Sequence, residues 1–438
     1  MSAWRGRRVA VWGAARSGIA AANLLVDLGA EVVLSDSRVE PTAEGLDARV
    51  SLRGGGNVLD GATVLVPSPG IPPHAVALRA ARAAGVTLVS EIELAASVAR
   101  APIVAITGTD GKSTTTEMVG AAVRAAGRPT VVAGNIGEPL SARVRDVGPE
   151  GVVVAEVSAF QLWSCGRFVP AVAIVTNVAE DHAEYFEGDV AAYVAAKARV
   201  LADMRAGGTA VLRRDDAVVW RFAPPPGVAR VGFGAGPSAA GWGLDGGAIT
   251  LDGGAVMAAA ELPVPGVHNV YNAQAALAAG LALGLPLAPM VAGLKVFRGL
   301  PHRLEVVRLR RGVTWYDDSK ATNPHAAATG LRAVTAPLVV ITGGYDKGLD
   351  LAPFAEAAAR ARLVILTGPT ADRTEAALGG RAPVSRAASM ADAVAQAAAR
   401  AQAGDAVVLS PAASSFDAYR DYAHRGAVFQ AEVAALGD

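Results

Sequence analysis

Short runs of β-branched residues alternate with long alanine-rich stretches along the whole chain, and few folds accommodate that rhythm. A strand followed by a helix and another strand must cross over a sheet, so its strands lie parallel with helices on both faces. Residues 8–12, 31–34, 64–66 and 87–89 read as a first series of strands. A second series holds 103–106, 152–155 and 171–176, and a third holds 313–316, 338–342, 363–366 and 406–409. The expected fold class is therefore α/β in three blocks, with boundaries at 1–98, 99–299 and 300–438. Residues 223–254, rich in Gly and Pro, read as antiparallel hairpins appended to the middle block.

Composition removes several classes of function. Hydrophobic residues are 52% of the 438 and charged residues 18%, so disorder is not the main state. Lys plus Arg and Asp plus Glu each number 40, which argues against a broad basic surface for duplex nucleic acid. Aromatics are only 5%, too few for a single-strand stacking platform. The single cysteine, Cys165, excludes an intrachain disulfide and a multi-cysteine zinc site. Cys165 reads as a small buried hydrophobe in preference to a nucleophile. Residues 275–294 carry no charge and match a membrane span in length, but they are rich in Ala and Gly and contain Pro286 and Pro289. A buried helix, a turn and a second helix are expected there. The apolar run near the N-terminus breaks at Gly13, short of a secretory signal. A soluble cytoplasmic protein with neither membrane nor nucleic acid as partner is expected.

The strongest local signal is an apolar strand running into GTDGKSTTT, residues 108–116. Backbone N–H groups of such a loop cradle phosphate oxygens. Gly108, Thr109, Asp110 and Gly111 would form the turn, Lys112 would place a charge on the β- and γ-phosphates, and Ser113 or Thr114 would reach a magnesium ion. Ile106 stands where the full Walker pattern has its first glycine. The bland alternative is a strand-to-helix turn with a solvated lysine.

Other strand ends are also polar. The first block carries GAARSG (13–18) before a helix and Asp36-Ser37-Arg38 after its second strand, a nucleotide-binding shape with Ala15 in place of the second glycine. Tight helix–strand packing is the competing explanation. Glu156 ends a strand and suits a magnesium ligand, whereas a cap at the next helix is the alternative, which Ser158 would equally supply. TNVAEDH collects Asn177, Glu180, Asp181 and His182. Lys197 sits among small apolar residues and, on the residues alone, reads as a snorkelling surface lysine. Asn269 and Asn272 open a helix, where Asn is commonly a cap. DDSKATNP (317–324), GGYDKG (343–348) and SPAASSFD (410–417) follow three strands of the last block, and their lysines and hydroxyls suit a carboxylate-bearing ligand.

Taken in order, GTDGKST, GNIG (134–137), EVSAFQL, TNVAEDH, HNVYNA, PHR and DDSKATN closely resemble the Mur ligase family of peptidoglycan precursor synthesis. DDSKATN, GGYDKG and SPAASSFD are similar to the members that add D-glutamate. The resemblance implies a Rossmann-like UDP-binding domain, a central P-loop ATPase domain and a C-terminal Rossmann-like domain for the amino acid. It implies ligation of D-glutamate to UDP-N-acetylmuramoyl-L-alanine by ATP through an acyl phosphate, in a monomer whose last domain closes. It further implies Mg²⁺ at two sites, held by Ser113, Glu156, Ser158, His182 and a carbamylated Lys197. Lys112, Asn135, His182 and Lys197 would be catalytic. Asn272, Arg303 and Asp318 would bind ATP. Arg16, Ser17, Asp36, Ser37, Arg38, Ser68, Gly70 and Asn135 would bind the UDP substrate. His182, Lys320, Thr322, Lys347, Ser415, Phe416 and Tyr422 would form the D-glutamate pocket, with Tyr422 where the family often has Phe.

Three alternatives stand beside it. A folylpolyglutamate-type ligase shares the GTxGK loop but leaves DDSKATN unexplained. An NAD-type oxidoreductase rests only on the turn at Gly13. A non-catalytic nucleotide binder predicts loss of Lys112, Glu156, His182 or Lys197, and the chain has all four.

Overall fold

A computed structural model describes residues 3–179 and 183–437. They form two compact units, one of Met1–Leu262 with Val270–Phe297 and the other of Pro263–Asn269 with Arg298–Asp438. The expected boundary at 98 falls inside the first unit, and the one at 299 falls two residues past Phe297.

The first unit contains two parallel sheets. One runs in the order Ser51–Arg53, Glu31–Ser35, Arg8–Trp12, Val64–Pro67, Thr87–Leu88. The order reverses direction beside Arg8–Trp12, which makes that strand's C-terminal end a ligand crevice by topology. The second sheet runs Ala229–Phe233, Thr209–Arg213, Val172–Val175, Ile103–Thr107, Val152–Glu156, Thr130–Gly134. Strands such as Val152–Glu156 are buried at every position, as expected of a sheet covered on both faces. Small residues let the helices sit close. A Cβ on Gly293 of the helix Leu287–Lys295 would lie 2.6 Å from Ala125 Cβ on the helix Lys112–Ala125.

The second unit holds a sheet in the order Glu305–Arg310, Val313–Asp317, Ala406–Leu409, Leu338–Gly343, Leu363–Thr367, Val384–Arg386. Only its first pair is antiparallel. The three strands expected to end in polar loops are thus adjacent.

Two expectations need correction. Residues 223–254 are not all hairpin. Ala229–Phe233 pairs in parallel with Thr209–Arg213 as an edge of the central sheet, and the antiparallel strands are Trp242–Asp245, Ala248–Leu251 and Gly254–Ala258. Both kinds of segment are short and flanked by Gly and Pro, so local sequence does not tell them apart. The snorkelling reading of Lys197 is also wrong, because that side chain is 2% exposed. The uncharged stretch at 275–294 does form two helices, Val267–Ala282 and Leu287–Lys295. Among the described residues no helix is long and apolar enough to cross a membrane. Cys165 is buried, and burial pushes its thiol up to about 12, so it packs as a hydrophobe.

Candidate active site

The phosphate loop leaves the sheet between two strands that both end in site residues. Ile106 is in register with Glu156 on one side, and Thr107 with Val175 on the other. Gly108 is obligatory: its φ is +149°, and a Cβ there would sit 1.9 Å from Thr176 Oγ1. Asn177 fixes Asp110, two residues on, by accepting its N–H at 2.8 Å and donating from Nδ2 to its carbonyl at 3.1 Å. Gly111, left-handed at φ +77°, then starts the helix Lys112–Ala125, whose first turn holds a buried Ser113 and a half-buried Thr114.

Two ammonium groups converge on this loop. Lys112 Nζ donates to the Gly108 carbonyl at 3.0 Å and the Thr109 carbonyl at 2.7 Å. Lys197 Nζ donates to the same Gly108 carbonyl at 2.6 Å and lies 4.4 Å over the Tyr193 ring. Thr109 Oγ1 is 3.1 Å from the Tyr193 hydroxyl, so one face of the helix Val190–Ala202 carries both a loop anchor and the buried lysine. The i,i+4 spacing of Tyr193 and Lys197 was the signal that would have found the tyrosine. Concentrated positive charge beside a backbone nest is what a polyphosphate needs. Asn272 also belongs here: its Oδ1 accepts from Thr115 Oγ1 at 3.0 Å.

Glu156 is 2% exposed, and among the described residues only one of its carboxylate oxygens has a hydrogen-bond partner. Asn135 Nδ2 donates to Oε1 at 2.7 Å, and the Asn135 N–H donates to the Glu156 carbonyl at 2.9 Å. Oε2 is buried with no hydrogen-bond partner among the described residues. A buried carboxylate oxygen in that state is costly unless a cation meets it. Together with the Ser113 hydroxyl it is the hard oxygen donor set that suits Mg²⁺. Ser158 serves the helix Ala159–Trp163: its Oγ accepts the Gln161 N–H at 3.2 Å and donates to Gln161 Oε1 at 3.0 Å, a capping box. Glu180, Asp181 and His182 lie outside the described residues.

At the first sheet, Asp36 is wedged between partners. Oδ2 accepts the Ala14 N–H at 2.7 Å, and Arg38 grips the carboxylate through Nε at 2.8 Å and Nη2 at 3.0 Å. The hydrogen bonds from the Arg38 guanidinium hold this carboxyl well below the usual carboxylate range. Asp36 therefore fixes the glycine turn even with Ala15 in it. Arg16 Nη1 reaches the Gly137 carbonyl at 3.2 Å, which joins this turn to the GNIG segment. Ser17 and Ser68 are half-buried here, and Ser37 and Gly70 are exposed.

The second unit gathers its own polar loops. The Asp318 N–H donates to the Leu409 carbonyl at 2.9 Å, the Gly343 N–H to the Pro411 carbonyl at 3.0 Å, and Tyr345 bridges Ser414. Lys320 Nζ lies 3.7 Å over the Tyr422 ring. Thr322 is half-buried, Ser415 is buried, and Lys347 and Phe416 are exposed. Asp318 accepts the Leu304 N–H at 3.1 Å, and burial pushes its carboxyl up to about 8. Arg303 follows His302, whose φ is +61° and whose Nδ1 is 2.7 Å from Asp317 Oδ2. His302, Glu305 and Asp317 bring ligand atoms within 4.8 Å of one another, but Gln430 Nε2 already donates to both carboxylates.

Sequence reasoning missed Arg425. It is 2% exposed and ties three of these loops together. Nε donates to Ser319 Oγ at 3.0 Å, Nη2 to the Ser319 carbonyl at 2.9 Å, and Nη1 to the Ala413 and Ser414 carbonyls at 3.1 Å each. Its helix pattern carries no hint of this, since a lone Arg in YAHRGAVF reads as a surface residue.

Known proteins match this arrangement along the chain. Family models match at residues 7–90 (Mur ligase MurD-like, N-terminal domain), 106–280 (Mur ligase middle domain) and 302–413 (Mur ligase, glutamate ligase domain). The UDP-N-acetylmuramoylalanine--D-glutamate ligase of Salinibacter ruber is 41% identical, over 99% of this chain and 98% of that protein. Its counterpart in Syntrophotalea carbinolica is 40% identical, over 100% and 99%. Among solved structures, the UDP-N-acetylmuramate-alanine ligase MurC of Thermotoga maritima superposes with a TM-score of 0.61 at 18% identity, covering 97% of this chain and 98% of that one. MurF of Acinetobacter baumannii gives 0.61 at 19% identity, covering 93% and 86%.

Proposed function

The chain belongs to the Mur ligase family, and from that premise we propose that it joins D-glutamate to UDP-N-acetylmuramoyl-L-alanine with ATP, in peptidoglycan precursor synthesis. The observation that carries this is identity of about 40% over the full chain to ligases of that name, with Lys112, Lys197 and Glu156 gathered at one sheet end.

A carboxylate oxygen of the alanyl group attacks the γ-phosphorus, and ADP leaves. The amine of D-glutamate attacks the resulting acyl phosphate, and the tetrahedral adduct collapses to an amide and phosphate as the amine gives up its proton. Lys112, now folded on the Gly108 and Thr109 carbonyls, turns its charge to the transferring phosphoryl group. Ser113, Glu156, Ser158, His182 and Lys197 would hold magnesium at two sites, and Ser158 also caps the helix after Glu156. The bound metal supplies positive charge that neutralises the phosphate oxygens. Asn135 orients Glu156 by its hydrogen bond and meets the muramoyl end of the substrate. Carbamylation would convert Lys197 from a cation into an anion able to orient a metal.

Gly108, Thr109, Asp110, Gly111, Thr114, Asn272, Arg303 and Asp318 would bind ATP. Arg16, Ser17, Asp36, Ser37, Arg38, Ser68 and Gly70 would bind the UDP part. His182, Lys320, Thr322, Lys347, Ser415, Phe416 and Tyr422 would bind D-glutamate. Two lysines facing two carboxylates make charge sense. The domains run 1–98, 99–299 and 300–438, in a cytoplasmic monomer. The test is phosphate release from ATP with UDP-N-acetylmuramoyl-L-alanine, comparing D-glutamate with L-glutamate, meso-diaminopimelate and L-alanine. Release only with D-glutamate is expected, and equal release with another amino acid refutes the assignment.

A further inference from the structure

We propose that Tyr185 is a positioning residue for the UDP-bearing substrate, its hydroxyl holding the loop at residues 68–71 against the half of the unit that carries the phosphate loop. This rests on the reading that Ser68 and Gly70 meet that substrate.

The loop leaves the strand Val64–Pro67 at the crevice where the first sheet reverses its order. The Ser68 N–H donates to the Trp12 carbonyl at 2.7 Å, so the loop lies beside the glycine turn. The hydroxyl of Tyr185 is 3.0 Å from the Pro69 carbonyl and 2.9 Å from the Ile71 carbonyl. One phenolic proton is thus shared by the two carbonyls that flank Gly70. Burial pushes that hydroxyl well above the ordinary phenol range, so it remains a donor at any working pH.

The ring is held from the catalytic side. Phe160, on the helix that begins three residues after Glu156, lies 4.0 Å from it between centroids. Phe186 meets it edge-on at 5.1 Å and meets Tyr193 edge-on at 5.8 Å. Tyr193 touches both Thr109 and Lys197. A continuous run of contacts therefore joins the loop to the carboxylate's helix and to the phosphate loop. The same residue sets where the UDP-bearing end is gripped and is packed onto the groups that serve its other end.

The test is Tyr185→Phe, which removes one oxygen and keeps the ring. The KM for UDP-N-acetylmuramoyl-L-alanine should rise about fivefold, the loss of about 1 kcal/mol. The kcat should stay within about twofold, and the KM values for ATP and D-glutamate should not change. Calorimetric titration with UDP alone should show the same weakening. An unchanged UDP-substrate KM, or a rise of all three KM values together, overturns the proposal. Tyr185→Leu, which also removes the ring, should lower kcat as well, and a kcat equal to that of Tyr185→Phe counts against the aromatic contacts. Wild-type protein that neither ligates nor binds UDP would sink the functional reading itself, whereas active wild type with an unaffected Tyr185→Phe variant sinks only this inference.

Discussion

Replacing Arg425 by methionine tests how the second unit keeps its loops in place. The guanidinium makes four hydrogen bonds of 2.9 to 3.1 Å, to one hydroxyl and three carbonyls on two separate loops, and a longer one of 3.5 Å to the Gly343 carbonyl on a third. Burial pushes it down to about 10, which leaves it protonated at neutral pH. Each bond contributes about 1 kcal/mol net, and the acceptors left behind have no water to turn to. Methionine fills much of the volume and recovers the desolvation cost of the charge. The net loss is then about 2–4 kcal/mol, which lowers the melting temperature by about 5–15 °C in a domain of this size. The loops that splay apart carry Lys320, Lys347 and Ser415, so the KM for D-glutamate should rise about tenfold or more, well beyond any change for the UDP substrate. Arg425→Lys should rescue little, since one ammonium cannot span the fork. Calorimetric melting with steady-state kinetics in each substrate reads both effects. A methionine variant with unchanged melting and unchanged D-glutamate KM would refute the clamp.

Three further outcomes are expected. Lys112→Ala should reduce ligation about a hundredfold or more without lowering the melting temperature, and retained turnover would remove Lys112 from the phosphoryl step. Asp318, pushed up to about 8 by burial, binds a proton in the native state that the unfolded chain releases near pH 4. Its native state thus loses stability as pH rises from about 4 to about 8, and Asp318→Asn should gain on the wild type by at most about 1.4 kcal/mol per pH unit in that window. A pH-independent difference in melting would show that Asp318 is not buried as an acid. Cys165, a thiol at every working pH, should take up no iodoacetamide in native protein, and rapid labelling with loss of activity would contradict its burial.

Sequence alone determined the parallel sheets, because strands buried on both faces must be written as unbroken apolar runs such as 103–106, and nearly every such run is a strand in the structure. It also determined the phosphate loop, since a strand, two glycines and a lysine at fixed spacing leave little else to form. It did not separate Ala229–Phe233 from the hairpins beside it, because strand pairing is settled by partners distant in the chain. Burial of Lys197 and Arg425 was equally illegible: a cation among small residues looks the same whether its neighbours end in water or in carbonyls. Only the tertiary structure decided that Gly108 would receive two ammonium groups and that a tyrosine hydroxyl would reach across to Pro69 and Ile71. Contacts between residues some eighty or more positions apart depend on how sheets pack, and packing is encoded by the whole chain at once.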